Sequence, residues 1–150
     1  WADLGVLRKY DQREFIDKDL SDTGMNEFGL IYYPNSCVSG DKKCKIHVYI
    51  HGCSLSVDTW GDWSIRNNGY LDLAATYDII VAFPQAEQSL FHKENGINDC
   101  WSHQPGAIGD LDYYGKEGLQ NRAMKNLVER IGGKREKGYD YSKLNIAHDK

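Results

Sequence analysis

Hydrophobic residues along this chain fall into short runs rich in β-branched and aromatic side chains, separated by polar, glycine-containing turns. Three of these runs predict strands: residues 28–33, 45–50 and 78–83. The run at 45–50 is almost unbroken by polar residues, which is typical of a strand covered on both faces of its sheet. Residues 1–20 mix apolar and charged positions, and they predict a short extended segment or an edge strand.

Two further segments have the hydrophobic spacing of helices. Residues 70–77 predict a short helix. Residues 116–131 predict a longer one, because an apolar residue recurs at every fourth position: Leu119, Ala123, Leu127 and Ile131. Residues 54–69 predict a loop, in which Trp60 and Trp63 are expected to fill the core rather than to line a binding surface.

The order of these elements describes an α/β sheet covered by helices, with a long irregular region at 85–115 that we expect to serve function. We therefore predict a partial α/β sheet of about three to four strands with flanking helices. A central apolar strand without a neighbour exposes backbone donors and acceptors, so the remaining strands are expected from another segment or chain. Residues 1–132 form the folded portion, and residues 133–150 form a polar tail or the start of a further strand.

Composition and charge narrow the class of protein. An apolar content of 41% and three prolines are typical of a folded chain. The net charge is −4, from 22 acidic and 18 basic residues. The sequence therefore lacks the excess of positive charge that is typical of nucleic-acid-binding proteins. No apolar run reaches the roughly 18–20 residues that cross a bilayer, so we expect a soluble chain without membrane contact. It begins with Trp1 rather than Met, which favours a processed product or a piece of a longer precursor.

The four cysteines are even in number and lack a C-x-x-C metal spacing, which indicates two disulfides and an oxidising or extracellular compartment. Four cysteines permit three pairings. Cys37 and Cys44 flank a short turn between two strands and are natural partners, which leaves Cys53 for Cys100. We expect no metal and no other cofactor.

A metal site would most simply use the two histidines spaced by four residues, His47 and His51. Both fall on a predicted strand, where four residues span about 13 Å rather than one helical turn. This spacing therefore does not favour a shared metal ion.

The most informative chemical signal is His51-Gly-Cys53, where a buried strand ends abruptly in a glycine turn. Such a turn can aim a backbone N–H group at a developing oxyanion in acyl transfer. The alternative is a tight turn that carries only a structural disulfide. Trp101 follows Cys100 and can form a flat apolar wall for an acyl chain, or pack against the strand ends.

The sequence offers no convincing catalytic nucleophile. The chain contains no Gly-x-Ser-x-Gly sequence, and Ser54 lacks both the second glycine and a clear following helix. A nucleophilic Cys53 assisted by His51 or His103 would need a thiol that the disulfide consumes. His103 is a general base by residue type, but no orienting carboxylate or nucleophile is apparent beside it. The sequence therefore predicts the oxyanion-binding part of an active site without its nucleophile.

Several motifs occur in one order that resembles a known family: Tyr10-Asp-Gln-Arg-Glu-Phe15, Gly29-Leu-Ile-Tyr-Tyr-Pro34, Cys44-Lys-Ile-His-Val48, His51-Gly-Cys53, Pro84-Gln-Ala86, Cys100-Trp101 and Gly118-Leu-Gln120. Over residues 3–132 the chain resembles the polyhydroxybutyrate depolymerases and related secreted esterases, which are α/β hydrolases. It is most similar to the circularly permuted branch, in which the serine, aspartate and histidine of the triad precede this segment. The tail at 139–147 is instead similar to the lead-in to the nucleophile strand of the unpermuted branch.

The resemblance implies roles for particular residues. Cys53 would donate its backbone N–H to the oxyanion and be disulfide-linked to Cys100, while Trp101, with His103 nearby, would contact substrate. Two departures from the family pattern concern that substrate wall: Leu55 replaces a glutamine, and Ser102-His103 replace Asp-Trp.

Together these observations predict part of a secreted serine esterase or polyester depolymerase, inactive by itself. A companion segment or chain would supply the nucleophilic serine and its partners, and the substrate would be an ester or polyester. The alternative is a catalytically inactive hydrolase fold used as a structural or binding module.

Overall fold

The hydrophobic runs assemble into one four-stranded sheet in the computed structural model, which describes residues 1–38, 42–87, 99–102 and 110–132. The strands are β1 (Gly5–Asp11), β2 (Phe28–Pro34), β3 (Lys45–Val48) and β4 (Ile79–Phe83). Their spatial order is β1-β2-β4-β3. The first two pairings are antiparallel and β3 runs parallel to β4, so the sheet is mixed.

The described helices are α1 (Asn35–Val38), α2 (Val57–Trp60), α3 (Trp63–Asn67), α4 (Tyr70–Tyr77) and α5 (Leu119–Gly132). Two 3₁₀ turns, Gln12–Phe15 and Leu20–Asp22, lie between β1 and β2. None of the helices within the described ranges is long and apolar enough to cross a bilayer. The prediction of a partial α/β sheet with flanking helices is therefore confirmed.

The sheet separates two cores because successive residues of its central strands point to opposite faces. On one face, Ile31 and Ile80 pack in a cluster with Ala123, Leu127 and Ile131 of α5. On the other face, Tyr32, Val81 and Phe83 pack in a cluster with residues of α3 and α4: Ile65, Leu71 and Ala74. Burial on both faces explains the continuous apolar runs of β2 and β4. β3 lies at the edge of the sheet and is only partly buried, contrary to the coverage on both faces predicted for residues 45–50.

Close packing between β1 and β2 depends on a glycine. Gly29 lies opposite Tyr10 in the register. A Cβ atom at position 29 would come within 2.6 Å of the Tyr10 ring, so only glycine lets the buried ring lie across this strand. Tyr10 thereby reaches Phe15, with an edge-on ring contact of 5.8 Å between centroids.

Two predicted elements differ in the structure. Residues 54–69 were predicted as a loop but contain α2 and α3, whose one or two turns are too short to show a hydrophobic period. The predicted strand 45–50 ends at Val48, although the Tyr49 N–H still donates to Ala82 O at 2.9 Å. Pairing stops there because the next residue of the partner strand, after Phe83, is Pro84, which has no N–H.

Burial also departs from the sequence prediction at three positions. Trp60 and Trp63 are exposed rather than core-filling. On α5 the buried residue at the first turn is Gln120 rather than Leu119, because the Gln120 side chain donates to Thr23 O at 2.9 Å and accepts from Ser102 N at 2.9 Å. The predicted tail at 133–150 lies outside the described residues.

Two disulfides join Cys37 to Cys44 and Cys53 to Cys100, which is the pairing that the sequence spacing favours. Their sequence separations are 7 and 47 residues. The longer loop restricts the unfolded chain more strongly, so the second disulfide is expected to contribute more to stability.

We expect the double replacement Cys53→Ala with Cys100→Ala to lower the free energy of unfolding by about 4 kcal/mol, on the chain-entropy estimate. The matched pair Cys37→Ala with Cys44→Ala should lower it by about 2.4 kcal/mol. Urea titration of both variants and the wild type measures the difference. A larger loss from the 37–44 pair would contradict the ranking.

Candidate functional site

The site begins where β3 leaves the sheet and the chain turns at His51-Gly52-Cys53. Leu55 N donates to Gly52 O at 3.2 Å, which closes a four-residue turn from 52 to 55. Ser54 occupies its third position with φ 59°, a left-handed conformation that non-glycine residues seldom adopt. The turn is exposed at Gly52 and Cys53, and it is buried at His51.

The His51 ring is held by two backbone groups. Its Nε2 accepts the Ala86 N–H at 3.1 Å, so the proton of the neutral ring resides on Nδ1. Nδ1 in turn donates to Gly52 O at 2.7 Å. Since both ring nitrogens are engaged, His51 is not a general base for Ser54 or Cys53.

The environment keeps this imidazole neutral. Burial lowers the pKa of His51, and the hydrogen bond to Gly52 O and the negative charge of Asp99 oppose that shift only in part. A neutral ring is what the geometry requires, because a protonated Nε2 would face the Ala86 N–H donor.

Three consecutive residues, 99–101, connect to the turn and to the residues beside it, two of them by hydrogen bonds and one by a disulfide. The Asp99 carboxylate accepts hydrogen bonds from Ser56 Oγ, at 2.5 Å, and from Thr59 Oγ1. Cys100 forms the disulfide with Cys53, with a Cα–Cα distance of 4.3 Å. Trp101 Nε1 donates to His51 O at 3.1 Å. We call residues 99–101 the clamp.

The clamp places the Trp101 ring beside the turn. Its centroid lies 5.4 Å from that of the His51 ring, at an interplanar angle of 48°. The ring is half-buried and packs against the core on the α5 side of the sheet. The next residue, Ser102, is tied to that helix through its N–H and Gln120 Oε1, so Trp101 is restrained from both sides.

A second support reaches the turn from the end of β4. Gln85 Oε1 accepts the Val57 N–H at 2.7 Å, and Gln85 N donates to Gln12 Oε1 at 2.9 Å. Gln12 and Gln85 are both buried. These amides satisfy backbone groups that secondary structure leaves unpaired, and they connect the start of α2 with the loops at the strand ends.

Apolar side chains border the exposed part of the turn. Ile50 and Leu55 are both exposed on either side of His51-Gly52-Cys53. Leu55 folds back over Gly52, since a Cβ atom at position 52 would lie 3.4 Å from Leu55 Cδ1. Within the described ranges, no acceptor engages the Cys53 N–H.

The structure places Trp101 against His51 and next to Cys100, the disulfide partner of Cys53. The substrate-binding role of Trp101 and the oxyanion role of Cys53 stay predictions. His103 lies outside the described residues. Among the described residues, no group of three or more His, Cys, Asp or Glu side chains has the arrangement of a metal site. The sequence analysis assigned no role to Asp99, Ser56 and Gln85. The available signals were the position of Asp99 directly before Cys100 and that of Gln85 within the motif Pro84-Gln-Ala86.

Curated proteins with related sequences share one description. The chain is 31% identical over 128 residues to a poly(3-hydroxybutyrate) depolymerase of Delftia acidovorans, which covers 85% of the chain and 24% of that protein. It is 34% identical over 115 residues to a polyhydroxybutyrate depolymerase of Talaromyces funiculosus, covering 72% of the chain and 33% of that protein. The chain thus spans about a quarter to a third of the length of these relatives. No protein-family model matches it.

Solved structures lead to the same group. The crystal structure of a PHB depolymerase from Penicillium funiculosum superposes with a TM-score of 0.61 at 27% identity, over 85% of this chain and 40% of that one. A PHB depolymerase complexed with an R3HB trimer superposes with a TM-score of 0.56 at 26% identity, over 85% and 39%. The family resemblance inferred from the sequence motifs is therefore confirmed in sequence and in fold.

The neutral, buried state of His51 makes stability depend on pH. The pKa of His51 is lower in the folded than in the unfolded chain. Its contribution to the free energy of unfolding is therefore complete above the unfolded pKa of about 6.5, and it is lost as the pH falls through the folded pKa. We expect the wild type to lose more unfolding free energy than His51→Gln between about pH 7.5 and about pH 5.5, by up to about 1.4 kcal/mol per pH unit. Urea titration at both pH values measures this, and equal losses in the two proteins would contradict it.

The Trp101 hydrogen bond gives a second test. Trp101→Phe keeps an aromatic ring but leaves the carbonyl of buried His51 without its donor, which should lower the unfolding free energy by about 1–2 kcal/mol. The control is Trp60→Phe, at an exposed tryptophan, for which we expect a change within about 0.5 kcal/mol. Equal effects of the two replacements would show that the Trp101 N–H does not stabilise the turn.

Proposed function

We propose, from its similarity to polyhydroxybutyrate depolymerases in sequence and fold, that this chain forms part of a secreted polyester hydrolase. The relatives' descriptions support a substrate with hydroxyacid ester bonds. The two disulfides support an oxidising location outside the cytoplasm.

The proposed role of the turn is to stabilise the oxyanion of acyl transfer through the Cys53 N–H. One observation carries this proposal: the N–H of the exposed residue Cys53 has no acceptor within the described ranges and belongs to a turn held by a disulfide and by hydrogen bonds of His51. A donor that is already fixed when charge develops stabilises a transition state more than one that must first be ordered. Removal of one such donor typically slows acyl transfer by about 10²–10³-fold.

The apolar border supports a binding role for the surroundings of the turn. Ile50 and Leu55 are exposed on either side of the turn, and the Trp101 ring lies beside His51, so hydrocarbon surface is available next to the proposed oxyanion position. A short hydroxyacid ester presents an alkyl group next to its carbonyl, and burial of that group against these side chains would orient the ester. His103 is proposed as a further substrate contact on the family pattern alone.

The attacking hydroxyl would come from polypeptide outside these 150 residues. The chain has no Gly-x-Ser-x-Gly sequence, His51 has both nitrogens engaged, and Cys53 is oxidised. A companion segment or chain would supply a serine with its histidine and aspartate. That serine would add to the ester carbonyl, the oxyanion would accept from the Cys53 N–H, and collapse would expel the alcohol and leave an acyl-serine for water to hydrolyse.

A second candidate is a catalytically inactive hydrolase fold that serves as a structural or binding module. The departures from the family pattern support it: Leu55 in place of glutamine, and Ser102-His103 in place of Asp-Trp. In that case the clamped turn would serve packing alone.

Active-site labelling separates the two candidates. The chain of residues 1–150 should hydrolyse p-nitrophenyl butyrate no faster than buffer and should not react with a fluorophosphonate. The native protein, isolated from its source with an antibody raised against the chain, should hydrolyse the ester and carry the label. Peptide mass spectrometry should place that label on a serine outside residues 1–150.

Two outcomes would contradict the proposal. A label on a serine within the chain would overturn the proposed position of the nucleophile. A native protein that neither hydrolyses the ester nor takes the label would favour the inactive module. A denatured sample of the native protein serves as the control for non-specific labelling.

A further inference from the structure

The carboxylate of Asp99 is buried although it has no role in the proposed chemistry. Asp99 is 5% exposed and adopts a left-handed conformation with φ 50°. Within the described ranges no lysine or arginine forms an ion pair with it. Within the same ranges its carboxylate accepts hydrogen bonds from two hydroxyl groups, those of Ser56 and Thr59. A buried charge in a strained backbone persists when the surrounding structure depends on it.

The hydroxyl groups of Ser56 and Thr59 connect the Asp99 carboxylate to α2, the helix that follows the turn. Ser56 Oγ donates to Asp99 Oδ2 at 2.5 Å and accepts the Thr59 N–H at 3.3 Å, so the carboxylate orients the N-cap of α2. Thr59 Oγ1 makes a second bond to the same oxygen. The start of α2 is therefore fixed relative to the clamp.

The turn needs restraint at both of its ends for the Cys53 N–H to keep one direction. The disulfide fixes the side chain of Cys53, but it does not by itself fix the peptide plane of Gly52 and Cys53 that carries the N–H. Gly52 O, in that plane, accepts from His51 Nδ1 and from Leu55 N. His51 restrains that plane from the preceding side, through its ring and its carbonyl. Asp99 restrains the chain on the following side, through Ser56 and Thr59.

We infer that Asp99 is a positioning residue for the turn, which holds the Cys53 N–H in the direction that the proposed oxyanion requires. The inference rests on the proposed function for its catalytic consequence, but the ordering of the turn by Asp99 can be tested without activity. Asp99 contacts no substrate in this scheme and acts through Ser56 and Thr59.

The test uses Asp99→Asn, which keeps the size of the side chain but removes the charge that two hydroxyl donors share. The matched control is Asp58→Asn, the same change at an exposed aspartate of α2. In the chain of residues 1–150, NMR relaxation should show the order parameter of the Cys53 N–H falling from about 0.85 to below about 0.6 in Asp99→Asn only. Thr59→Val, at an exposed position, should give a smaller decrease and provides a variant that folds if Asp99→Asn does not.

In the complete native protein, Asp99→Asn should lower kcat at least about tenfold and leave KM within about twofold, because only the transition state uses the N–H. A purely structural role would lower thermal stability and leave kcat unchanged at temperatures well below unfolding. If the Cys53 amide stays as ordered in Asp99→Asn and Thr59→Val as in Asp58→Asn, the inference is overturned. If the turn loosens but kcat is unchanged, the positioning of the turn by Asp99 stands and the oxyanion role proposed for Cys53 fails.

Discussion

The structure of the site depends on one buried, neutral histidine. The His51 ring accepts the Ala86 N–H at the end of β4, and its carbonyl accepts the Trp101 N–H from the clamp. A third hydrogen bond turns the chain back at Gly52. One residue therefore joins the ends of two adjacent parallel strands to a loop that is distant in sequence, and a proton on Nε2 would break the first of these contacts.

The sheet makes this convergence possible. Parallel pairing of β3 with β4 brings their carboxyl ends to the same edge, where His51 and Ala86 meet. Functional residues of open α/β sheets commonly gather at such an edge. β4 is buried between the two cores, and β3 beside it is half-buried at the edge of the sheet, while the turn itself is exposed at Gly52 and Cys53. A turn that extends from packed strands suits a group that must be positioned before substrate arrives.

The clamp adds a second kind of restraint. Asp99 accepts hydrogen bonds from Ser56 and Thr59, Trp101 donates one to His51 O, and Cys100 forms the disulfide with Cys53. Together these four bonds restrict rotation as well as distance, which a disulfide alone does not. Gln120 extends the restraint to α5, because its side chain accepts the N–H that follows Trp101.

Local sequence pattern determined the strands at 28–33 and 78–83, the helix at 70–77 and the partial α/β class, because hydrophobic period and turn chemistry act between side chains within a few residues of one another. The pairing of Cys37 with Cys44 followed from their short spacing, and that of Cys53 with Cys100 from the two cysteines that remained. The family resemblance came from the order of several motifs along the chain.

Tertiary structure alone decided the rest: the proton position on His51, the burial of Gln120, the exposure of Trp60 and Trp63, and the contacts of Asp99. The hydrogen bonds that define the site join residues 35, 43 and 50 positions apart. Such partners are set by strand register and loop closure, to which a local pattern of polar and apolar residues is insensitive.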